Sequence, residues 1–257
     1  MSDLIQNVHK TEEYFLWALS KEIWEDRGVM AFAPAIRSPN LNFALQTGDF
    51  EGDLKGIIQD VEMFYERLHL PWGWIINPIR DQSDLKIIFE RHGYALISNN
   101  PVFVRSLEDS FSENVLKNFD VREVTEGKIS EWILPLKEAF ESTETDALLY
   151  LETHLRALKK KANFRHFVLY IEGEPVSAAT LSYSKYGARL DDLGTKPAWH
   201  RQGLGKAVTV YAMKFAKQLG YPWICLEASD QGTFLYEGLG FKALYRNEIY
   251  GKKKGDK

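Results

Sequence analysis

Apolar residues recur every three to four positions between Leu204 and Leu219, which predicts an amphipathic helix that Gly220 ends. A strand over 187–193 precedes this helix, and Pro197 stops it because proline cannot donate a ladder hydrogen bond. The pattern also predicts the other elements of the second half: a strand over 121–124, helices over 129–140 and 145–162, a hairpin of strands 167–171 and 175–184, a strand over 223–228 and a short helix over 233–237.

The first half of the chain alternates between helical and extended patterns in the same way. It predicts a helix over 4–27 ended by Gly28, strands over 28–36 and 41–47 joined by the turn 37–40, a helix over 52–70, a strand over 72–76, a helix over 83–91 capped by Ser83, and a strand pair or one long strand over 94–107. Residues 109–119 are polar and lack a long apolar stripe, so they are predicted to be a linker.

Two glycines and two fixed cations cluster at the predicted start of the 204–219 helix, in the stretch His200-Arg201-Gln202-Gly203-Leu204-Gly205-Lys206. The first turn of a helix leaves backbone N–H groups unpaired and carries the positive end of the helix dipole. Glycines lack a Cβ atom and therefore allow an anion to approach this backbone closely. The stretch predicts a phosphate-binding site, with an ordinary strand–turn–helix as the alternative.

Two familiar phosphate-binding loops do not fit this stretch. A Walker loop needs a hydroxyl after its lysine to hold magnesium, and Ala207 follows Lys206. A dinucleotide fingerprint starting at Gly203 needs a third glycine where Val208 stands, and no βαβ unit with a ribose-binding acid follows. An unrelated nucleotide-binding protein is therefore disfavoured.

The stretch resembles the acetyl-CoA-binding signature [QR]-x-x-G-x-[GA] of the GNAT N-acetyltransferases, with His200 where the family usually has Arg or Gln. A second stretch is similar to the family's other signature: Leu235-Tyr236 is followed by Gly240-Phe241, with Ser229 where Asn is common and Gly232 where Ala is common. Two signatures in this order identify residues ~120–250 as a GNAT domain by resemblance. The resemblance implies an α/β (α+β) fold with a mixed, mostly antiparallel central sheet flanked by helices.

The same resemblance implies which residues hold acetyl-CoA. Backbone groups of Leu193, Gly194 and Thr195 would bind the pantetheine arm where two strands splay. The full set of predicted cofactor-binding residues is Leu193, Gly194, Thr195, His200, Arg201, Gln202, Gly203, Leu204, Gly205, Lys206, Ala207, Ser229, Gly232 and Tyr236. No metal site is predicted.

Acyl transfer to an amine needs a proton donor for the departing thiolate and a base for the amine. Tyr236 matches the tyrosine that GNAT enzymes use as the acid; its alternative role is a packed aromatic. Asp191 and Asp192 occupy consecutive strand positions and so face opposite sides of the sheet. We predict Asp191 as the base, with an ion pair inside the sheet as the alternative.

The resemblance also implies that the first helical region of the domain helps to wall the acceptor cleft. Two groups of side chains could line it, each with an alternative role as solvated surface or core: the acidic Glu138, Glu141, Glu144 and Asp146, and the aromatic Trp132, Phe140, Tyr183 and Tyr186.

An internal repeat relates the two halves. Gly52 precedes Pro71-Trp72 as Gly203 precedes Pro222-Trp223, and Phe89 corresponds to Tyr236, although chance similarity of short patterns is the alternative. We predict two tandem GNAT-like domains: a degenerate N-terminal domain at 1–108, a linker at 109–119 and a C-terminal acetyltransferase domain at 120–257. The first half has Phe50-Glu51-Gly52-Asp53-Leu54 at its loop, so carboxylates would repel a pyrophosphate there. It is predicted to be structural or to wall the substrate cleft.

The composition of the chain limits the classes of binding partner that can be expected. The 257 residues carry 32 Lys and Arg against 36 Asp and Glu, a net charge of −4, so no basic field indicates nucleic acid or an anionic membrane. The single Cys225 excludes an internal disulfide, and no leader or membrane span is evident, so we expect a cytoplasmic protein that is a monomer or homodimer. The predicted function is an acetyl-CoA-dependent N-acetyltransferase that acts on a small-molecule or peptide amine. The alternative is an acyl-CoA-binding module that senses and does not transfer.

Overall fold

A computed structural model describes residues 2–38, 41–80, 82–229 and 232–252. Parts of the predicted turn at 37–40 and of the stretch Ser229-Asp230-Gln231-Gly232 lie outside these ranges. The elements of the first half are α1 (Ser2–Leu19), β1 (Glu22–Asp26), β2 (Val29–Ala33), β3 (Phe43–Gln46), α2 (Leu54–Leu68), β4 (Gly73–Ile76), α3 (Ser83–Arg91) and β5 (Tyr94–Ser106). Those of the second half are β6 (Asp120–Val124), α4 (Ile129–Ala139), α5 (Glu144–Lys159), β7 (Phe164–Ile171), β8 (Glu174–Ser184), β9 (Gly187–Thr195), α6 (Leu204–Gln218), β10 (Trp223–Glu227), α7 (Thr233–Gly238) and β11 (Lys242–Lys252).

Two sequence expectations are wrong, and one strand was missed. The predicted helix over 4–27 ends at Leu19, because Arg27 (φ 46°) and Gly28 (φ 80°) form the tight turn of a β1–β2 hairpin that draws residues 22–26 into the sheet. Ser83 does not cap α3; the residue at the cap position is Gln82. Strand β11 was not predicted at all. The 94–107 segment is one long strand, and the other predicted elements occur near their expected bounds.

The eleven strands found in the described ranges form one sheet in the order β1-β2-β3-β4-β11-β5-β10-β9-β8-β7-β6. Eight neighbouring pairs are antiparallel, and two, β3–β4 and β9–β10, are parallel. The mixed, mostly antiparallel sheet flanked by helices is therefore confirmed.

The two halves exchange their last strands. Strand β11, from the end of the chain, pairs with β4 of the first half, where Ile249 lies opposite Ile75. Strand β5, which closes the first half, pairs with β10 of the second, where Val104 lies opposite Cys225. Each parallel pair thus has a strand from the other half beside it, which joins the halves in one hydrogen-bonded sheet.

The helices cover both faces of the sheet. On one face, α6 buries Leu204, Val208 and Ala212 against strands of the second half, and α2 packs on the first half. On the opposite face, α4 and α5 pack on β7 and β8, while α1 spans the boundary between the halves. Leu16 of α1 contacts first-half strands, and Val8 packs with Cys225 of β10. No helix in the described ranges is both long enough and apolar enough to cross a membrane.

Candidate active site

The site forms where the parallel ladder between β9 and β10 stops. Its register pairs Ala188 with Ile224 and Arg189 with Cys225, and β9 then continues to Thr195 paired with β8 alone. The β8 register jumps from Thr180–Asp191 to Ala178–Gly194, and Asp192 in this bulge has φ 56°. Beyond the ladder, β9 thus presents an unpaired backbone edge towards β10.

A groove of about 890 Å³ lies against this edge and the start of α6. Twelve of the fourteen predicted cofactor-binding residues line it: Leu193, Gly194, Thr195, His200, Arg201, Gly203, Leu204, Gly205, Lys206, Ser229, Gly232 and Tyr236. The other two do not. Gln202 is exposed beside the groove, and Ala207 lies on the buried face of α6, where its N–H donates to the Gly203 carbonyl. Trp199 and Phe234 line the groove without having been predicted, and Phe140, predicted for the acceptor cleft, also lines it.

The N-terminus of α6 is open to a ligand. Gly203 occupies the cap position with φ 82°, a conformation that favours glycine, and no side chain of the described residues caps the helix. Arg201 and Lys206 are exposed at this end. His200 lies across the turn, where its Nε2 atom is 2.9 Å from the Thr195 carbonyl oxygen. The free N–H groups and two cations fit a pyrophosphate group.

The corresponding helix of the first half is closed. Asp53 caps α2, and its carboxylate accepts hydrogen bonds from the N–H groups of Lys55 (3.2 Å) and Gly56 (3.0 Å). A side-chain carboxylate thus occupies the positive end of the α2 dipole, whereas the corresponding end of α6 is free.

Gly194 is required by close packing against α4. A Cβ atom there would lie 2.8 Å from Leu136 Cδ2 and 3.0 Å from the Ala139 Cβ. The missing side chain therefore lets α4 cover the groove beside the free edge of β9.

Tyr236 lies on α7 and borders the groove. Its ring is packed between Phe103 and Phe241, with ring centroids 6.4 and 5.7 Å away. Burial, together with the negative charge of Asp191, raises the pKa of the Tyr236 hydroxyl above its usual range. The tyrosine therefore keeps its proton at neutral pH. It is both a packed aromatic and a possible proton donor.

Asp191 forms the ion pair that was the alternative to its predicted role as the base, and it also faces a cavity. Its oxygens accept from Arg189 Nε at 2.9 and 3.1 Å, and the side chain also lines a cavity of about 440 Å³ on the face opposite α6. Burial raises the pKa of Asp191 to about 6, although the Arg189 charge lowers it.

Two carboxylates beside Asp191 were not predicted. Glu12 of α1 and Glu227 of β10 line the same cavity. Glu227 lies two residues beyond the last ladder pair, a position that a sequence reading of β10 could have found. Glu12 could not be found in this way, because no local pattern shows that α1 packs over β9.

Asp192 faces a separate cavity of about 630 Å³ beside α4 and α5. The Tyr150 hydroxyl donates to Asp192 Oδ1 at 2.5 Å, and His154 Nε2 is 3.6 Å from Oδ2. His154 Nδ1 in turn lies 2.9 Å from His166 Nε2. Burial raises the pKa of Asp192 to about 7 and lowers that of both histidines.

The predicted cleft residues have mixed placements. Glu141, Asp146 and Phe140 line the Asp192 cavity. Glu138 pairs with Lys196 at 3.2 Å, and Glu144 pairs with Lys137. Three of the four predicted aromatics lie elsewhere: Trp132 is in the core, Tyr183 packs against the core under α6, and Tyr186 lines a shallow pocket beside α1.

Comparison with known proteins agrees with this geometry. Residues 162–243 match the family model described as acetyltransferase (GNAT) domain. A GCN5-related N-acetyltransferase from Kribbella flavida is similar over 96% of both chains, with a TM-score of 0.71 and 17% identity. A functionally unknown conserved protein from Staphylococcus epidermidis is similar over 91% of this chain and 94% of its own, with a TM-score of 0.64 and 13% identity.

A tandem GNAT protein from the clavulanic acid biosynthesis pathway is similar over 89% of this chain and 79% of its own, with a TM-score of 0.60 and 8% identity. No curated protein matches the sequence. Residues 162–243 thus match a GNAT domain, and the fold of the chain over nearly its whole length is the one seen in GNAT structures. The resemblance that the two signatures indicated is confirmed, and the repeated parallel strand pair is consistent with a tandem arrangement.

Proposed function

We propose that the protein is an acetyl-CoA-dependent N-acetyltransferase that moves an acetyl group directly to a primary amine of a small molecule or peptide. The observation that carries this proposal is the opening between β9 and β10. An uncapped helix N-terminus lies at one end of the groove that leads to it, and Tyr236 and Asp191 lie near it.

The chain's own residues fit the cofactor. The α6 backbone and the cations Arg201 and Lys206 would hold the pyrophosphate, and the unpaired edge at Leu193–Thr195 would bind the amide groups of pantetheine as a strand would. When bound, acetyl-CoA supplies an activated thioester whose carbonyl carbon accepts the amine nitrogen as the C–S bond breaks.

The acceptor nitrogen, bound as an ammonium, loses two protons and the departing sulfur gains one. Tyr236, kept protonated by burial, would give its proton to the sulfur. Asp191, with a pKa near 6, would take each proton from the nitrogen, first to free its lone pair and again as the amide forms, and pass it on to solvent. Tyr236 regains its proton from solvent, because it borders the open groove.

Turnover distinguishes an enzyme from a binding module. Purified protein with acetyl-CoA and a panel of primary amines should release free CoA thiol in an amine-dependent manner, with the acetylated amine detected by mass spectrometry. Binding of CoA without amine-dependent thiol release would contradict the proposal and support the non-catalytic acyl-CoA module.

A further inference from the structure

The 440 Å³ cavity between α1 and the sheet joins the two halves of the chain. Its apolar walls come from Leu16 and Leu19 of α1, Phe43 and Ile75 of the first half, and Ile249 of β11, while Ser98 and Asn100 of β5 add polar groups. The second half contributes Arg189, Asp191 and Glu227, so the cavity is complete only when both halves are present. Its volume suits a small organic molecule.

One end of the cavity carries more negative than positive charge. Glu12, Asp191 and Glu227 supply three carboxylates. Arg189 binds Asp191 and lies 4.0 Å from Glu12, and His9 is 3.8 Å from Glu12 behind the cavity wall. Burial lowers the pKa of His9, but Glu12 and the neighbouring Glu13, whose Oε1 atom lies 3.1 Å from His9 Nε2, raise it to about 9. The three carboxylates that line the cavity therefore face Arg189 and a histidine whose charge Glu13 shares.

The buried polar groups are not fully satisfied. Glu12 is 3% exposed, and its Oε2 atom has no hydrogen-bond partner among the described residues. The Nη1 atom of Arg189 also has none among them. Glu227 accepts from the neutral amides of Asn100 (2.6 Å) and Asn247 (2.7 Å), which leave its charge in place. Burial and the nearby Glu12 raise the pKa of Glu227, as expected where a cation is missing.

The charged end of the cavity adjoins the opening between the strands. Asp191 and Glu227 each lie two residues beyond the last ladder pair, Arg189–Cys225, and so flank the opening on both strands. The groove bordered by Tyr236 reaches the same opening from the other face. An amine held between these carboxylates is next to the position proposed for the thioester.

We propose that this cavity is the acceptor site and that it selects a primary amine on an apolar alkyl or arylalkyl body. The ammonium group is held by Glu12, Asp191 and Glu227, and the body lies against Leu16, Phe43 and Ile75. A second charge at the far end of the acceptor would lose its hydration against these walls. The inference rests on the proposed function for its chemistry, but binding of the amine can be tested without turnover.

The test is calorimetric binding of n-hexylamine and 6-aminohexanoate to the full chain, alone and saturated with CoA. We expect n-hexylamine to bind at least about tenfold more tightly than 6-aminohexanoate. Glu12→Gln should weaken n-hexylamine binding at least about tenfold. Glu152→Gln, which removes the same charge from an exposed position on α5, should leave it unchanged.

A second variant tests the same cavity if Glu12→Gln fails to fold. Ile97 lines the cavity and is 45% exposed, so Ile97→Trp narrows the cavity at little cost to the fold. It should weaken n-hexylamine binding severalfold and leave CoA binding unchanged. Equal affinity for the two amines, no binding in either state, or no effect of these variants would overturn the acceptor site. CoA binding, measured in the same titrations, tests the proposed function separately.

Discussion

Arg189 and Cys225 are the last paired residues of the parallel ladder between β9 and β10. Beyond this pair the two strands part, and every feature of the candidate site is arranged around the opening. The uncapped helix α6 and Tyr236 approach it from one face, and Asp191 with Glu12 approaches it from the other. A break in one ladder thus lies between the groove proposed for the cofactor and the cavity proposed for the acceptor.

Gly203→Glu should weaken CoA binding at least about tenfold, roughly 1.4 kcal/mol, because a carboxylate would meet the pyrophosphate at the α6 N-terminus. Gly220→Glu is the matched control. Both glycines have a positive φ, 82° and 86°, and open space around the missing Cβ, but Gly220 follows the other end of α6. Isothermal titration of both variants with CoA checks this prediction. Equal losses would show that backbone strain, and not charge, is responsible.

Tyr236→Phe should lower kcat by roughly 10²-fold or more, the usual contribution of a general acid, and leave the Kd for CoA unchanged. The ring packing against Phe103 and Phe241 is kept, so the free energy of unfolding should change little. Steady-state kinetics and CoA titration of the same preparation provide the comparison. A kcat equal to that of the wild type would remove Tyr236 from the mechanism.

Gly194→Ala should destabilise the fold by about 1–3 kcal/mol, because the new methyl group would overlap Leu136 and Ala139 of α4. Gly127→Ala serves as the control, since a Cβ atom at Gly127 has no neighbour within 4 Å. Urea unfolding monitored by tryptophan fluorescence measures both variants. An unchanged midpoint for Gly194→Ala would show that α4 is free to move away.

The buried His154–His166 pair should make the protein sensitive to acid. Burial and the Arg165 charge lower the pKa of His166 from 6.5 to about 3. Between pH 6.5 and about 3, His166 is therefore protonated in the unfolded chain and neutral in the native state. Stability is therefore fully present above pH ~6.5 and falls as the pH is lowered, by up to ~1.4 kcal/mol per pH unit for this group.

Replacing His166 tests this linkage. His166→Gln should flatten the dependence of the free energy of unfolding on pH between about 6.5 and 3, relative to the wild type, whatever its stability at pH 7. Urea unfolding at several pH values gives the two curves. Parallel curves would mean that His166 is protonated equally in the folded and unfolded chains.

The cofactor groove could be predicted from the sequence because its parts are local. Gly203, Gly205 and the cations around them lie within one turn and the first residues of one helix, and Tyr236 follows at a fixed spacing. Short-range geometry fixes such a site once the flanking strand and helix form. The closed N-terminus of α2 could also be predicted from the sequence, since Asp53 has the residue type and the position of a helix cap.

The acceptor side could not be predicted, because it depends on contacts distant in sequence. Glu12 lines the same cavity as Asp191 only because α1 lies across both halves, and Ile249 enters the cavity wall only because β11 pairs with β4. The bulge at Asp192 is a tertiary feature too: a non-glycine residue at φ 56° is not expected from an extended pattern. The domain limits 1–108 and 120–257 stay predictions, and the exchanged strands β5 and β11 cross between them.

The most direct test is isothermal titration of the full chain with acetyl-CoA, CoA and ATP. A single cofactor groove at the β9–β10 opening predicts one CoA per chain, similar binding of acetyl-CoA, and much weaker binding of ATP. Two CoA per chain would show that the first half also binds the cofactor despite the Asp53 cap. No binding of CoA, or a preference for ATP, would contradict the acetyltransferase assignment itself.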